Sequence, residues 1–257
     1  MDRRTWMSWV AGAAALPVSC WAQPSAALQL GVDALIQDSG LAGRWKAAMA
    51  RDTGLTAQWT QTPSVQLLQQ LEAGTLQAGL FLSHPLADRL EQQGLIHDRH
   101  SLARTPIFLV GPSNDPAGLR SERDVVHALH QILAAQAAGI CQWIAPAKNT
   151  ALAGLSDTLM STLGAQKLTS KTPRASTAPL PQYQLMTQSD WQSLPRPVRA
   201  PLKTWVSNDV RLSLTCQVAR SFRTQHPAGK LLVQWLQSPL ARRAVTGPGS
   251  IWQAVKG

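Results

Sequence analysis

The feature that most constrains this chain is a rhythm: short apolar runs alternate with amphipathic stretches along most of its length. Leu28 to Val32 reads as a strand. Ser39 to Arg51 reads as a helix, with Leu41, Trp45 and Ala48 on one face and Ser39 placed to cap its start. The pattern continues with a strand over Leu55 to Thr60 and a helix over Ser64 to Glu72, begun after Pro63 and stopped by Gly74. A strand over Gln77 to Leu82 precedes a helix from Pro85 to Gln93. A strand over Ile107 to Val110 closes on Gly111-Pro112, and a long helix covers Ser121 to Ala138. Ile140 to Ile144 is strand-like, and a helix is expected from about Thr150 to Leu163. Lys167 to Gln182, rich in Ser, Thr, Pro and Lys, reads as an exposed loop. Strands over Tyr183 to Thr187 and Arg211 to Val218 lead to closing helices over Ala228 to Gln237 and Pro239 to Thr246. Strand–helix repetition of this kind predicts the α/β class, with mostly parallel sheets flanked by helices.

Composition supports a buried core, because 44% of the 257 residues are apolar and only 15% are charged. No stretch reaches the ~18–20 consecutive apolar residues of a membrane-spanning helix. The formal charge of +10 raises the question of nucleic acid. Yet the basic runs, such as Arg120 to Arg123 and Arg196 to Lys203, are short and not interleaved with stacking aromatics, so nucleic acid is not expected as a partner. Residues 1–22 read as an export signal. Arg3-Arg4 forms its charged start, Met7 to Val18 its weakly apolar centre, and Cys20-Trp21-Ala22 supplies small residues for cleavage. Asp2-Arg3-Arg4-Thr5-Trp6-Met7 is similar to a twin-arginine signal, although Asp2 stands where Ser or Thr is usual. The expected location is therefore the periplasm. Cys141 and Cys216 remain after cleavage, and their spacing leaves both a disulfide and two buried thiols open.

Three segments carry a resemblance. They are Leu109-Val110-Gly111-Pro112-Ser113-Asn114-Asp115-Pro116-Ala117-Gly118-Leu119, then Gly79-Leu80-Phe81-Leu82-Ser83-His84-Pro85, and Trp235-Leu236-Gln237-Ser238-Pro239. With Asp38-Ser39-Gly40-Leu41 at the first helix, the chain resembles the periplasmic tungstate-binding components of ABC importers, a branch of the two-lobed solute-binding proteins. The likeness spans roughly residues 28–165 and, more weakly, 183–246. It implies a type II two-lobed fold with the ligand cleft between lobes. Lobe one would hold 28–105 plus 211–257, and lobe two 106–210, with crossings near Ile107–Val110 and Leu212–Val218. It implies hinge closure around a small solute, an ABC permease as partner, contact with the membrane only through that permease, a monomer, no cofactor and no catalysis.

The same resemblance locates a site and its departures. After the first strand the family has a Thr/Ser run, where this chain reads Gly31-Val32-Asp33-Ala34, so Asp33 would repel an anion. After the second strand, Thr62 and Ser64 could still donate. In lobe two the family's Ser-Arg-Gly-Asp-Asp-Ser-Gly-Thr corresponds to Trp143-Ile144-Ala145-Pro146-Ala147-Lys148-Asn149-Thr150. Ile144 replaces the Arg, Lys148 is new, Thr150 persists, and Trp143 could form a wall. The implied ligand-binding residues are Thr62, Ser64, Trp143, Lys148 and Thr150. Charge-assisted hydrogen bonds contribute about 1.5–3 kcal/mol each. Losing roughly three of them costs on the order of 10³–10⁶ in affinity. The expected function is reversible binding of a small solute, an oxyanion such as tungstate or molybdate included, by a degenerate site. The alternative is a solute-binding fold repurposed as a ligand-free interaction or sensor module.

Other constellations are weaker. His127 and His130 share a helix face and His97 and His100 have the same spacing, but no Cys or third His lies at ligand spacing, so no metal is expected. No Gly-x-Ser-x-Gly or comparable nucleophile motif occurs. Trp59 and Trp205, like Trp143, could line a cleft or fill a core.

Overall fold

A computed structural model describes residues 27–164, 180–224, 226–247 and 249–255. The export signal, and all of the expected loop but its last three residues, lie outside them. The first half is built from β1 (Leu28–Val32), α1 (Ala34–Asp38), α2 (Leu41–Thr53), β2 (Ala57–Gln61), α3 (Ser64–Ala73), β3 (Ala78–Leu82) and α4 (Pro85–Gln92). The long β4 (Ile96–Pro112) leads to α5 (Val125–Ala137), β5 (Gln142–Ile144) and α6 (Ala151–Thr162). Then come β6 (Gln182–Thr187), α7 (Gln188–Ser193), α8 (Arg196–Arg199), β7 (Leu202–Val206) and β8 (Ser213–Ser221), followed by α9 (Pro227–Leu236), α10 (Pro239–Val245) and β9 (Gln253–Ala254). The α/β class is as expected. No helix among the described residues is long and apolar enough to cross a membrane.

The strands run in the order β2-β1-β3-β8-β4-β6-β5, with β7 and β9 also paired to β4. Parallel ladders join β1 to β2, β1 to β3 and β5 to β6, the strands separated by helical crossovers. The antiparallel pairings all involve β4 or β8. β4 changes partner along its length: Pro106 still faces Ser213 of β8, whereas Ile107 faces Thr187 of β6. One strand therefore belongs to both halves of the molecule, and the backbone N–H of Ile107 donates to the Leu212 carbonyl where the second connection returns.

β3 reads Ala-Gly-Leu-Phe-Leu and is buried at every position, as a strand covered on both faces should be. Ala78, Leu80 and Leu82 join the main core with Trp45 and Met49 of α2, while Phe81 joins a second cluster with Leu67, Leu68 and Leu71 of α3. A Cβ on Gly79 would sit 2.3 Å from Leu67 Cδ2, so glycine here lets α3 lie directly on the strand. That close approach sets where the N-terminus of α3 sits.

Several boundaries differ from the sequence expectation, and three of them have a clear local cause or consequence. Ser39 does not cap α2. Its hydroxyl donates to the Ile36 carbonyl at the end of α1 and accepts from Trp252 Nε1, and Gly40, at φ 74°, leads into α2. α5 begins at Val125 rather than Ser121, because the Asp124 carboxylate accepts from the backbone N–H groups of Val126 and His127. β4 begins eleven residues before Ile107, through a half-exposed stretch of alternating charge.

Candidate functional site

A groove of about 440 Å³ separates the two halves, within the ~300–1,000 Å³ typical of small-molecule sites. One wall is Val65, the second residue of α3, with His84, the N-cap of α4. The other is the segment from β5 to α6, with Lys148, Asn149 and Thr150, and the first turns of α6, with Gly154 and Asp157. Thr150 caps α6: its hydroxyl accepts from the Ala153 N–H at 3.2 Å and donates to the Ala147 carbonyl at 2.7 Å. Asn149 adopts φ 66°, a left-handed conformation that Asn tolerates. Neither Lys148 nor Asn149 makes a side-chain hydrogen bond or ion pair among the described residues.

His84 offers the groove a donor. Its Nδ1 accepts from the Leu86 N–H at 3.1 Å, so a neutral ring carries its proton on Nε2. Burial lowers its pKa below the ordinary 6.5, with Asp157 and then Asp88 pulling the other way. The ring is close to α6, since a Cβ on Gly154 would be 2.7 Å from His84 Cδ2 and 3.2 Å from Nε2. Glycine is what permits this approach across the groove.

Behind the Val65 wall lies a polar cluster. Asp33, 7% exposed, follows β1, and Ser64, 1% exposed, opens α3. Asp33 Oδ2 accepts from the Ser64 N–H at 2.9 Å and the Ser64 hydroxyl at 2.6 Å, and Oδ1 accepts from the Leu35 N–H at 2.9 Å. The Leu82 N–H donates to Ser64 Oγ at 2.8 Å, which leaves the hydroxyl proton directed at Asp33. The carboxylate expected to repel an anion is itself the acceptor that caps α1 and engages the start of α3.

Of the five residues expected to bind ligand, the structure brings Lys148 and Thr150 together in the groove. Ser64 adjoins it through Val65, but its proton is committed to Asp33. Thr62 is buried, 5% exposed, and its side chain makes no hydrogen bond among the described residues. Trp143 packs against the main core and does not line the groove. Trp59 likewise packs on the core, and Trp205 donates from Nε1 to the Pro112 carbonyl beneath Lys203, whose Nζ lies 4.4 Å from the ring centroid. His84, Asn149, Gly154 and Asp157 were not among the expected site residues. The His-Pro pair ending a buried strand is the one signal that could have marked His84. Among the described residues, no group of three His, Cys, Asp or Glu is placed to hold a metal. Cys141 and Cys216 are free, buried thiols.

A profile of the bacterial extracellular solute-binding protein family matches residues 42–249, most of the chain. The chain belongs to that family. No curated protein matches it. Among solved structures, this solute-binding protein is similar to a candidate periplasmic metal-binding protein, with a TM-score of 0.76 at 18% identity over 90% of this chain and 96% of the other. It is also similar to the tungstate-binding protein TupA from Desulfovibrio alaskensis G20, at TM-score 0.70 and 17% identity over 90% and 99% of the two chains. The tungstate ABC transporter structure from Geobacter sulfurreducens gives 0.59 at 18% identity, over 87% and 95%. At these identities the likeness establishes the fold, the two-lobed α/β arrangement of periplasmic binding proteins. The role of the family is binding rather than catalysis.

The solute-binding protein also carries a charge cluster where β4 and β8 meet. Asp209, between β7 and β8, accepts from Arg211 and from the backbone N–H of Val125 at the start of α5, and Arg211 reaches on to Asp124 at 2.6 Å. The Arg211 guanidinium holds the Asp209 carboxyl down to about 2. The Leu109–Leu119 segment behind the resemblance is scaffold. A Cβ on Gly111 would lie 2.1 Å from the Tyr183 ring, Tyr183 Oη accepts from the Ala117 N–H, and Asp115 Oδ1 accepts from the Leu119 N–H.

Proposed function

We propose that the protein is an exported, periplasmic component of an ABC-type importer that binds a small polar solute reversibly in the groove between lobes 28–105 plus 211–257 and 106–210. The observation that carries this reading is the groove itself. Lys148 and Asn149, free of side-chain partners among the described residues, line a space of solute size together with His84. A cation, an amide and an imidazole N–H favour a solute with an anionic or strongly accepting group. The twin-arginine-like leader fits export, and the tungstate-binding neighbours keep an oxyanion among the candidates. Asp33 on the donors of α3 weighs against tight oxyanion capture.

A thermal-shift panel of tungstate, molybdate, sulfate, phosphate and amino acids tests it, because a ligand in excess of its Kd raises the melting temperature by mass action. At least one solute should raise it. Lys148→Ala should then weaken that solute about tenfold, since an exposed charge contributes at the lower end of the charge-assisted range. Unchanged affinity in Lys148→Ala would remove that role. A second reading, a ligand-free interaction module, is favoured by the same Asp33 geometry, and a flat response to the whole panel would select it.

A further inference from the structure

We infer that the solute of this groove is zwitterionic, carrying an ammonium and a carboxylate, and that Asp157 and Lys148 receive its two ends. The inference rests on the reading of the groove as the solute site. Among the described residues that line the groove, Lys148 is the one Lys or Arg and Asp157 the one acid. The side chain of neither makes a hydrogen bond or an ion pair among the described residues. Helix α6 keeps the two from neutralising each other. Lys148 stands two residues before the Thr150 cap, and Asp157 lies in the second turn. The helix rises about 10 Å from Thr150 to Asp157. Neither charge serves the helix itself. A cation ahead of an N-terminus opposes the helix macrodipole, and a carboxylate in the second turn is past the stretch where the dipole would favour it. Asp157 does bear on the opposite wall. It pulls the His84 pKa upward, more than Asp88 does, and Gly154, three residues before it on the same face of α6, is the residue that the His84 ring approaches. Two unpaired charges of opposite sign in one groove select a solute that meets both. A simple oxyanion satisfies Lys148 and is repelled by Asp157, and a simple amine meets the reverse. A zwitterion leaves neither charge unpaired, and the Asn149 amide beside Lys148 adds donors for its carboxylate end.

The test begins with a thermal-shift screen of the purified protein against the common amino acids, 4-aminobutyrate and 6-aminohexanoate, beside butyrate, sulfate, phosphate and tungstate. At least one amino acid should raise the melting temperature. Calorimetric titration then compares that amino acid with its N-acetyl derivative, which lacks the ammonium, and its methyl ester, which lacks the carboxylate. Each blocked form should bind roughly tenfold more weakly, the loss of one charge-assisted contact. The variants should show a crossed pattern that a general loss of the site would not produce. Asp157→Asn should weaken the free amino acid about tenfold and spare the N-acetyl derivative. Lys148→Ala should weaken the free amino acid and spare the methyl ester. A response to singly charged compounds alone would overturn the inference and leave the groove a solute site. So would an amino acid whose N-acetyl form binds as tightly, or one whose affinity Asp157→Asn leaves unchanged. A flat response to every compound would overturn this inference and the solute-site reading together.

Discussion

His84 joins helix capping to the groove through one ring. Its Nδ1 must stay unprotonated to accept from Leu86, and burial holds its pKa below the ordinary 6.5. As pH falls through 6.5, the unfolded chain takes up this proton before the native one, so stability falls in that window. His84→Asn keeps a capping side chain and removes the titration. Its urea midpoint should lose less between pH 7 and pH 5.5 than that of the native protein, and equal slopes would show that His84 does not contribute. Cys141 and Cys216 are pushed up by burial, Cys216 the more strongly and with the Asp33 charge adding to it. Neither should react with a thiol reagent until the protein is unfolded. Rapid labelling of Cys216 under native conditions would contradict its burial.

At the scale of elements, α6 and α5 are the two that invite substitution. Gly154→Ala places a methyl group against His84, where nothing can yield without moving α6 or the imidazole. The variant should fold, bind the groove's solute more weakly, and resist closure of the two walls. A titration matching the native one would show that the walls do not approach in the bound state. In α5, Asp209→Ala removes an acceptor from Val125 and a partner from Arg211, and the carboxylate itself is only 5% exposed. Hydrogen bonds to charged groups of this kind contribute about 1.5–3 kcal/mol, so a loss of ~2–3 kcal/mol is expected in chemical denaturation at neutral pH. Because the native Asp209 pKa is depressed, its contribution is present above the unfolded value of 3.8 and lost as pH falls toward about 2. The stability difference between native and variant should shrink over that range. Elements with a sharp composition contrast were legible from sequence: β1 has the bounds its apolar run implied, and α3 stops at Gly74, which adopts φ 78°. The first part of β4 was not legible. His97, Asp98, Arg99, His100 and Arg104 blur its alternation, Asp98 turns through φ 53°, and the register with β8 shifts twice. Those irregularities belong to pairing with a strand more than a hundred residues away.

In the whole molecule, β4 serves both halves, and a groove opens where the start of α3 and His84 face the start of α6. The resemblance of the Leu109–Leu119 and Gly79–Pro85 segments foresaw this scaffold because both encode close packing, Gly111 on Tyr183 and Gly79 on Leu67, rather than ligand contact. The site was only partly legible for the same reason. Lys148 and Thr150 could be placed by position after β5. The commitment of Ser64 to Asp33 depends on bringing residues 33, 64 and 82 to one point, which no local pattern announces. The account turns on that point: the Ser64 N–H and hydroxyl are already satisfied by Asp33. Calorimetric titration of the native protein with tungstate tests it most directly. With those donors engaged, and charge-assisted hydrogen bonds contributing about 1.5–3 kcal/mol each, binding should be micromolar or weaker, or absent. A saturable nanomolar Kd would contradict it, since an anion held that tightly would need the donors that Asp33 occupies.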